Sequence, residues 1–297
     1  MSARPVATAC TIFPANNVWH ADVSRLPVHR GSAAYVASIG ATNGVKADFG
    51  AGLWEGGPIG IPITSVPAGQ PSVKVTFRYA GESDRGPYPI PRNAKIEGGP
   101  SSGGDRHIIL YDRTRCRAYE LFAAYPQSDG GWRAGSGAIF DLRANAMRTR
   151  GWTSADAAGL SILAGLVRYE EVAAGRIDHA IRVTAPRTRN AYVWPASHSA
   201  SDITDPNVPP MGLRLRLKSS VDVSRLPRQA RIVAEAMKRY GVILADNGSP
   251  WFLSGAPDER WSNDALRALG GLHGSDFEAV DASSLMVSAN SLATRPS

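Results

Sequence analysis

Alternating apolar and polar positions are the most frequent pattern along this chain. In residues 73–79 every second side chain, from Val73 to Tyr79, is apolar, which is the period of a strand with one buried face. Similar short segments bounded by turn residues predict further strands at 59–65, 106–112, 117–124, 138–142, 177–183, 192–194, 213–217 and 242–245.

Helical periodicity is restricted to a few segments. The clearest covers residues 228–239, and Gly241 follows where a helix end favours a left-handed residue. Shorter helices are predicted over 166–174, ended by Gly175, and over 264–269 after a Ser or Asn cap. Many strands with few helices predict a mainly β fold, either a β-sandwich or barrel-like antiparallel sheets with a few peripheral helices.

The composition fits a folded chain with many turns. Hydrophobic residues make up 43% and charged residues 20%, and there are 30 Gly and 21 Pro among 297 residues. No linker or composition break divides the sequence. We therefore expect a single β-rich globular domain over residues 1–297, with an N-terminal arm over roughly the first 20 residues.

The charge and hydropathy of the chain restrict the classes of partner that it could bind. The net charge is +7, but no Lys/Arg tract is interleaved with aromatics, so we expect no nucleic-acid partner. An acidic polysaccharide partner and a plain basic surface both remain open. No run of 18 apolar residues predicts a membrane span. The N-terminus has no apolar signal core, so the chain is either cytoplasmic or begins near a mature N-terminus.

The first candidate site lies on a predicted hairpin. Segments 106–112 and 117–124 flank a turn, and a two- or four-residue loop would set His107 directly opposite Glu120. Asp105 would share that face, and the three side chains could perform acid–base catalysis or bind a metal. A structural His–Glu pair is the alternative, and a three-residue loop would remove the pair altogether.

Further carboxylates could complete a catalytic pair. The Gly/Pro-rich segment 81–104 reads as a long ordered loop of the kind that tends to be functional. Glu97 lies in it and is the best candidate for a second catalytic carboxylate. Asp141 is either a structural ion-pair partner of Arg143 or a catalytic acid. Asp246 fits a turn, although it could also face a ligand at a strand end.

Histidines and aromatic residues suggest the remaining candidates. His179 is either a core residue or a catalyst. His107, His179 and His198 could form a three-imidazole metal site. Tryptophans beside turn residues, including Trp54, either fill the core or stack on sugar rings. The candidate substrate-binding residues are Trp194, Trp152, Trp251, Tyr192, His198 and Arg182.

Several familiar signatures are absent from the sequence. It contains no P-loop, no dinucleotide glycine motif in a strand–helix context, and no H-E-x-x-H, C-x-x-C or G-x-S-x-G motif. These absences argue against NTPases, Rossmann oxidoreductases, zincins and α/β-hydrolases. The two cysteines, Cys10 and Cys116, could form one disulfide that pins the N-terminal arm to the sheet, although two thiols alone do not decide it.

Nearly the whole chain resembles a family of secreted bacterial proteins of actinobacterial type. The likeness is carried by GDRH at 104–107, SGAIFDLR at 136–143, DHAIR at 178–182 and YVWPA at 192–196, together with residues 13–19 and 240–249. The resemblance implies an extracellular location and, with it, a bridge between Cys10 and Cys116. It supplies no catalytic residues.

These observations favour an extracellular carbohydrate-active enzyme that cleaves a polysaccharide as a glycoside hydrolase or polysaccharide lyase. The catalytic candidates are His107, Glu120, Asp105, His179, Glu97 and Asp141. The alternatives are a non-catalytic carbohydrate-binding or cell-surface module and a His-coordinated metal-dependent enzyme. We expect a monomer that acts on a polysaccharide or oligosaccharide, without a cofactor and without a membrane partner.

Overall fold

The structure is a computed structural model that describes residues 10–295. Its strands are β1 (Lys46–Asp48), β2 (Leu53–Trp54), β3 (Gly57–Pro58), β4 (Ile63–Ser65), β5 (Val75–Phe77), β6 (Ile108–Asp112), β7 (Arg117–Phe122), β8 (Tyr125–Pro126), β9 (Trp132–Ala134), β10 (Ser136–Asp141), β11 (Ile181–Ala185), β12 (Arg214–Leu217), β13 (Val242–Asn247), β14 (Phe252–Ser254) and β15 (Phe277–Ala279). Its helices are α1 (Ser32–Ile39), α2 (Ile162–Gly165), α3 (Tyr169–Ala174), α4 (Arg228–Arg239) and α5 (Asn263–Arg267).

The largest sheet has six strands in the order β1-β14-β11-β13-β12-β15 and is mixed. Strand β11 runs parallel to β13 and antiparallel to β14. Alternate side chains therefore point to opposite faces of this sheet. One face, which includes Val242 and Leu244, packs in a core with residues of helices α1, α4 and α5. The other face, which includes Ile243 and Ala245, belongs to a second core.

A four-stranded sheet, in the order β10-β7-β6-β4, covers that second core. Its inner face contributes Ile109, Ala118 and Ala138, which lie in the same apolar cluster as Ile243. Its outer face, which includes Leu110 and Leu121, packs in a third core with residues of the three-stranded sheet β5-β9-β8. The two larger sheets therefore enclose a common layer, into which the short helix α2 also packs.

The prediction of a mainly β fold with a few short helices is confirmed. The helix predicted over residues 228–239 is α4, and Gly241 follows it with φ 69°. Ser262 caps α5, where its side chain accepts a hydrogen bond from the Ala265 amide. Among residues 10–295 the sheets are open and partly parallel, and no sheet closes on itself. The strand predicted at 192–194 is wrong, because only Tyr192 makes an isolated bridge there.

The predicted hairpin forms, but its register differs from the expected one by two residues. Strand β6 continues through Asp112 and β7 begins at Arg117, so Ile109 lies opposite Glu120. The Asp112 carboxylate accepts the Arg115 amide at 2.9 Å and stabilises the four-residue turn between the strands. His107 therefore shares a face with Glu120 but lies diagonally across from it, which corrects the predicted direct pair.

The predicted disulfide between Cys10 and Cys116 is present, with a Cα–Cα distance of 5.4 Å. It joins the N-terminal segment to the hairpin of β6 and β7 across 106 residues of sequence. None of the helices within residues 10–295 has the length and apolar character needed to cross a bilayer.

The disulfide should contribute strongly to the free energy of unfolding, because it closes a long loop in the unfolded chain. We expect the double variant Cys10→Ala/Cys116→Ala to lose roughly 2–4 kcal/mol in urea unfolding. A reducing agent should lower the stability of the wild type to the same level and leave the variant unchanged. A wild type that keeps its stability when reduced would contradict this role.

Candidate functional site

The first element of the candidate site is a buried pair between His107 and Glu97. His107 precedes β6 and is only 2% exposed. Its Nδ1 donates to Glu97 Oε2 over 2.5 Å, and its backbone amide donates to the same oxygen over 3.3 Å. The Glu97 amide in turn donates to the His107 carbonyl over 3.0 Å. Two of the predicted catalytic residues are therefore brought together by the loop that precedes β6.

Hydrogen bonding fixes the charge of this pair. The second ring nitrogen of His107, Nε2, lies 3.1 Å from the carbonyl oxygen of Ala155. A carbonyl oxygen only accepts, and an ionised carboxylate only accepts, so both ring nitrogens must carry a proton. Burial lowers the pKa of His107, but the charge and hydrogen bond of Glu97 outweigh it and raise that pKa to about 9. Burial raises the pKa of Glu97, but His107 outweighs it and holds that pKa below its usual value.

The second element is the buried guanidinium of Arg182, on β11. Its Nη2 donates to Asp156 Oδ1 at 2.9 Å and to Asp246 Oδ2 at 2.6 Å, while Nη1 donates to Ser254 Oγ at 2.7 Å. Arg182 is 4% exposed and Asp156 is fully buried. Removing either partner of such a buried ion pair is strongly destabilising, because it leaves an uncompensated charge away from water.

A β-bulge brings Asp246 to Arg182. Between Val183 and Thr184 the register of β11 against β13 shifts by one residue, so Thr184 lies opposite Asp246. Without the shift Asp246 would point to the other face of the sheet, since side chains alternate along a strand. Bulges that redirect a side chain are over-represented next to active sites.

Carboxylates outnumber cations in this layer. Burial raises the pKa of Asp156, and it raises the pKa of Asp246 to about 6 against the opposing charge of Arg182. Oδ2 of Asp156 has no hydrogen-bond partner among residues 10–295. The charge of Asp156 also contributes to the raised pKa of Asp246, because like charges at close range disfavour each other.

Glu97 opens onto a cavity of about 620 Å³. The same cavity is lined by Asp48, at the end of β1, and by Trp54, which is 71% exposed. Burial raises the pKa of Asp48, Lys46 opposes this, and the charge of Glu97 raises it further. Asp48 makes no ion pair with another residue between 10 and 295. The cavity thus holds two carboxyl groups whose pKa values are shifted in opposite directions.

The wall with Trp54 is attached to the Glu97 loop through two glycines. Glu55 and Gly56 both have positive φ, the pattern of a two-residue hairpin turn, and they join β2 to β3. A Cβ at Gly57 would lie 2.1 Å from the carbonyl carbon of Gly98. Because any larger residue would clash there, the glycines allow the Trp54 hairpin to pack directly beside Glu97.

Glu120, a predicted catalytic residue, is fully buried and serves another purpose. Its carboxylate accepts hydrogen bonds from Ser161 Oγ at 2.7 Å and from the amides of Ile162 and Leu163 at 2.8 and 3.0 Å. Burial raises its pKa and these three donors oppose the rise. Glu120 therefore anchors the start of α2, and its side chain is closed to solvent.

Asp105 and Asp141 lie outside the pair. Asp105 is exposed and makes no hydrogen bond to His107, so the predicted trio with Glu120 does not form. Asp141 is exposed at the end of β10, where it accepts the Arg143 amide at 3.0 Å. The expected ion pair with Arg143 does not form, because the Asp141 carboxylate contacts only the Arg143 backbone amide.

The three histidines proposed as metal ligands are separated. His179 contacts the Ala180 carbonyl at 2.7 Å and Glu171 at 3.2 Å, and it is buried. His198 contacts the Ala157 carbonyl at 2.8 Å, while His107 is paired with Glu97. Within residues 10–295 no three His, Cys, Asp or Glu side chains are grouped so that they could hold a metal ion.

The predicted aromatic ligands are dispersed. Trp194 and Tyr192 line a separate cavity of about 370 Å³, and Trp152 lines a small one of about 180 Å³ with Arg148 against its ring. Trp251 is 1% exposed and stacks on Phe277, so it is a core residue and the expectation of sugar contact is wrong. His198 lines a cavity of about 280 Å³, which Asp246 also reaches.

Sequence reasoning missed Asp48 and Asp156. Neither has a recognisable spacing to His107 or Arg182. Asp246 carried a signal, since it follows an apolar strand, but the turn after it explains the residue equally well.

Comparisons of the chain with protein-family models, with curated proteins and with solved structures found no match. The chemistry of the site therefore rests on its own residues and their surroundings.

The His107–Glu97 pair should make stability depend on pH. Because the pKa of His107 is raised, protonated His107 stabilises the fold. This stabilisation is complete at pH values below the ordinary histidine pKa of 6.5 and is lost as the pH rises through about 9. The lowered pKa of Glu97 stabilises the fold above its ordinary 4.5, and this is lost as pH falls. We expect Glu97→Gln to cost about 3 kcal/mol in urea unfolding at pH 6 and clearly less at pH 9.5. An equal cost at both pH values would contradict the ion pair.

Proposed function

We propose that this chain is an extracellular polysaccharide-cleaving glycoside hydrolase whose catalytic carboxyl groups are Asp48 and Glu97. The observation that carries the proposal is the opposite pKa shift of two carboxyl groups that line one cavity. Glycoside hydrolysis needs one acid that holds a proton and one carboxylate that is ionised. Environments that separate two pKa values assign these roles.

Asp48 is suited to be the general acid. It reaches solvent in the cavity at the end of β1, and its pKa is raised by burial and by Glu97. An acid with a raised pKa keeps its proton closer to neutral pH and can transfer it to the oxygen of the departing sugar. That proton neutralises the alkoxide that would otherwise form when the glycosidic C–O bond breaks.

Glu97 is suited to be the ionised partner. His107 holds Oε2, while Oε1 receives no hydrogen bond from residues 10–295 and the side chain is 25% exposed. The free oxygen can take a proton from water or attack the anomeric carbon directly. The first route inverts and the second retains the anomeric configuration, and the separation of the two carboxyl groups decides between them. His107 acts as a positioning residue, since its ring nitrogens bond only to Glu97 and to the Ala155 carbonyl.

Trp54 supports a saccharide as the substrate. An exposed indole offers a flat, electron-rich face, against which the polarised C–H bonds of a sugar ring can stack. It stands at the cavity that holds both carboxyl groups, and Leu53 beside it is also exposed. A sugar stacked there would be held next to the reacting groups.

The states of His107 and Arg182 argue against a lyase reaction that uses them as base and cation, although Lys46 and Arg267 also line the cavity. A lyase needs an accessible base and a cation that neutralises the uronate carboxylate. His107 carries two protons and is buried, and Arg182 is buried and already bonded to Asp156 and Asp246. Neither residue is placed to meet a substrate. The disulfide between Cys10 and Cys116 supports an oxidising location such as the cell exterior.

Substitution of either carboxyl group should abolish cleavage. We expect wild type to release reducing ends from a member of a polysaccharide panel, and Asp48→Asn and Glu97→Gln each to lower kcat at least ~10²-fold. Trp54→Ala should raise KM more than it lowers kcat. The matched control is Glu235→Gln on the exposed face of α4, which removes one carboxylate that does not line the cavity.

The same panel separates the alternatives. Products that absorb as unsaturated uronates would show that the enzyme is a lyase and not a hydrolase. Retention of a polysaccharide without cleavage, lost in Trp54→Ala, would make the chain a carbohydrate-binding module. Full activity in both Asp48→Asn and Glu97→Gln would show that the catalytic assignment is wrong.

A further inference from the structure

A second cavity, of about 370 Å³, lies apart from the carboxylate cavity and shares none of its lining residues. Its wall contains three arginines and several aromatic rings. The lining residues that matter for its chemistry are Arg150, Arg189, Arg214, Tyr192, Trp194 and Asp281.

Arg214 is the unusual group in this wall. It begins β12 and is 2% exposed, and its Nη1 has no hydrogen-bond partner within residues 10–295. Its Nη2 donates to the Val18 carbonyl at 2.5 Å, and no carboxylate between residues 10 and 295 pairs with it. Burial without a neighbouring anion lowers the pKa of Arg214 to about 9. An unpaired buried charge is strongly unfavourable, so a site of this kind gains from an anion.

The two other arginines add to the positive charge. Nε of Arg189 is also buried without a partner, and Arg150 is exposed at the cavity. Neither forms an ion pair with a carboxylate in the described part of the chain. One carboxylate, Asp281, does line the cavity, but it accepts the Ser283 amide at 2.9 Å. The cavity therefore keeps an excess of positive charge.

The remaining wall is apolar and aromatic. Trp194 donates its Nε1 to the Ser291 carbonyl at 2.9 Å, which fixes the indole in the wall. Tyr192 and Met147 line the cavity beside it. A guanidinium group recognises a carboxylate by paired N–H donors, and rigid rings suit a ligand with a flat apolar face.

We propose that this cavity is a binding site for a small carboxylate-bearing molecule whose ring or carbon skeleton packs against Trp194 while its carboxylate meets the arginine cluster of Arg150, Arg189 and Arg214. A free uronic acid and an aromatic acid such as benzoate share this chemistry, and both are tested. The site does not depend on the hydrolase assignment, because it uses none of the same residues.

Binding is measured as thermal stabilisation of the full chain and by calorimetric titration. Galacturonate or benzoate should raise the Tm of the wild type by roughly 5 °C at about 100 times Kd. Glucose and benzyl alcohol, which lack the carboxylate, should have no effect. Stabilisation by only one of the two acids would show whether the ligand is a uronic acid or an aromatic acid. Equal stabilisation by inorganic phosphate would overturn the proposed apolar contact.

Two variants and one control test the arginines. Arg214→Met and Arg189→Gln should each weaken binding at least tenfold. Arg214→Met should keep or raise the Tm of the ligand-free protein, because it removes an unpaired buried charge, and Val18 still accepts the Ala21 amide. The control Arg143→Gln removes one exposed charge away from the cavity and should bind as the wild type does. No binding of either acid by the wild type, or equal loss in all three variants, would overturn the proposal.

Discussion

The burial of charge between the two larger sheets is the constraint on which the rest of this structure depends. Arg182 sits in that layer and holds Asp156 and Asp246, and the pair of His107 and Glu97 lies beside it. Charges removed from water must be compensated locally, because their hydration is lost. The buried charges therefore determine the course of the loops at this layer. Each loop contributes a side chain of opposite charge, and without that side chain another buried charge would be uncompensated.

The same constraint determines the electrostatics of the cavity. A buried imidazolium keeps Glu97 ionised, and the ionised Glu97 in turn opposes ionisation of Asp48. Burial is the larger cause of the raised pKa of Asp48, and the charge of Glu97 adds to it. The charged layer behind the cavity thus prepares one carboxyl group to give a proton and the other to act as a base or nucleophile.

The features predicted correctly from the sequence are those that depend on residues close together along the chain. The helix at residues 228–239 follows from its spacing, whereas the disulfide of Cys10 was only allowed by the cysteine count and was implied by the family resemblance. Glu97 was predicted from its loop, but its pairing with His107 was not, because it depends on the path of the loop before β6, which no local pattern in the sequence specifies. The approach of Asp246 to Arg182 depends on a bulge, which leaves no mark on apolar periodicity. Asp48 reaches the site through the pairing of β1 with β14, strands far apart in sequence.

The separation of the two carboxyl pKa values is the central claim, and a carbon-13 NMR titration of the side-chain carboxyl groups tests it most directly. Asp48 should titrate above its ordinary value of 3.8 and Glu97 below its ordinary value of 4.5. In Glu97→Gln the pKa of Asp48 should fall, because the nearby negative charge is gone. Ordinary values for both groups, or an Asp48 that does not respond to the substitution, would contradict the account.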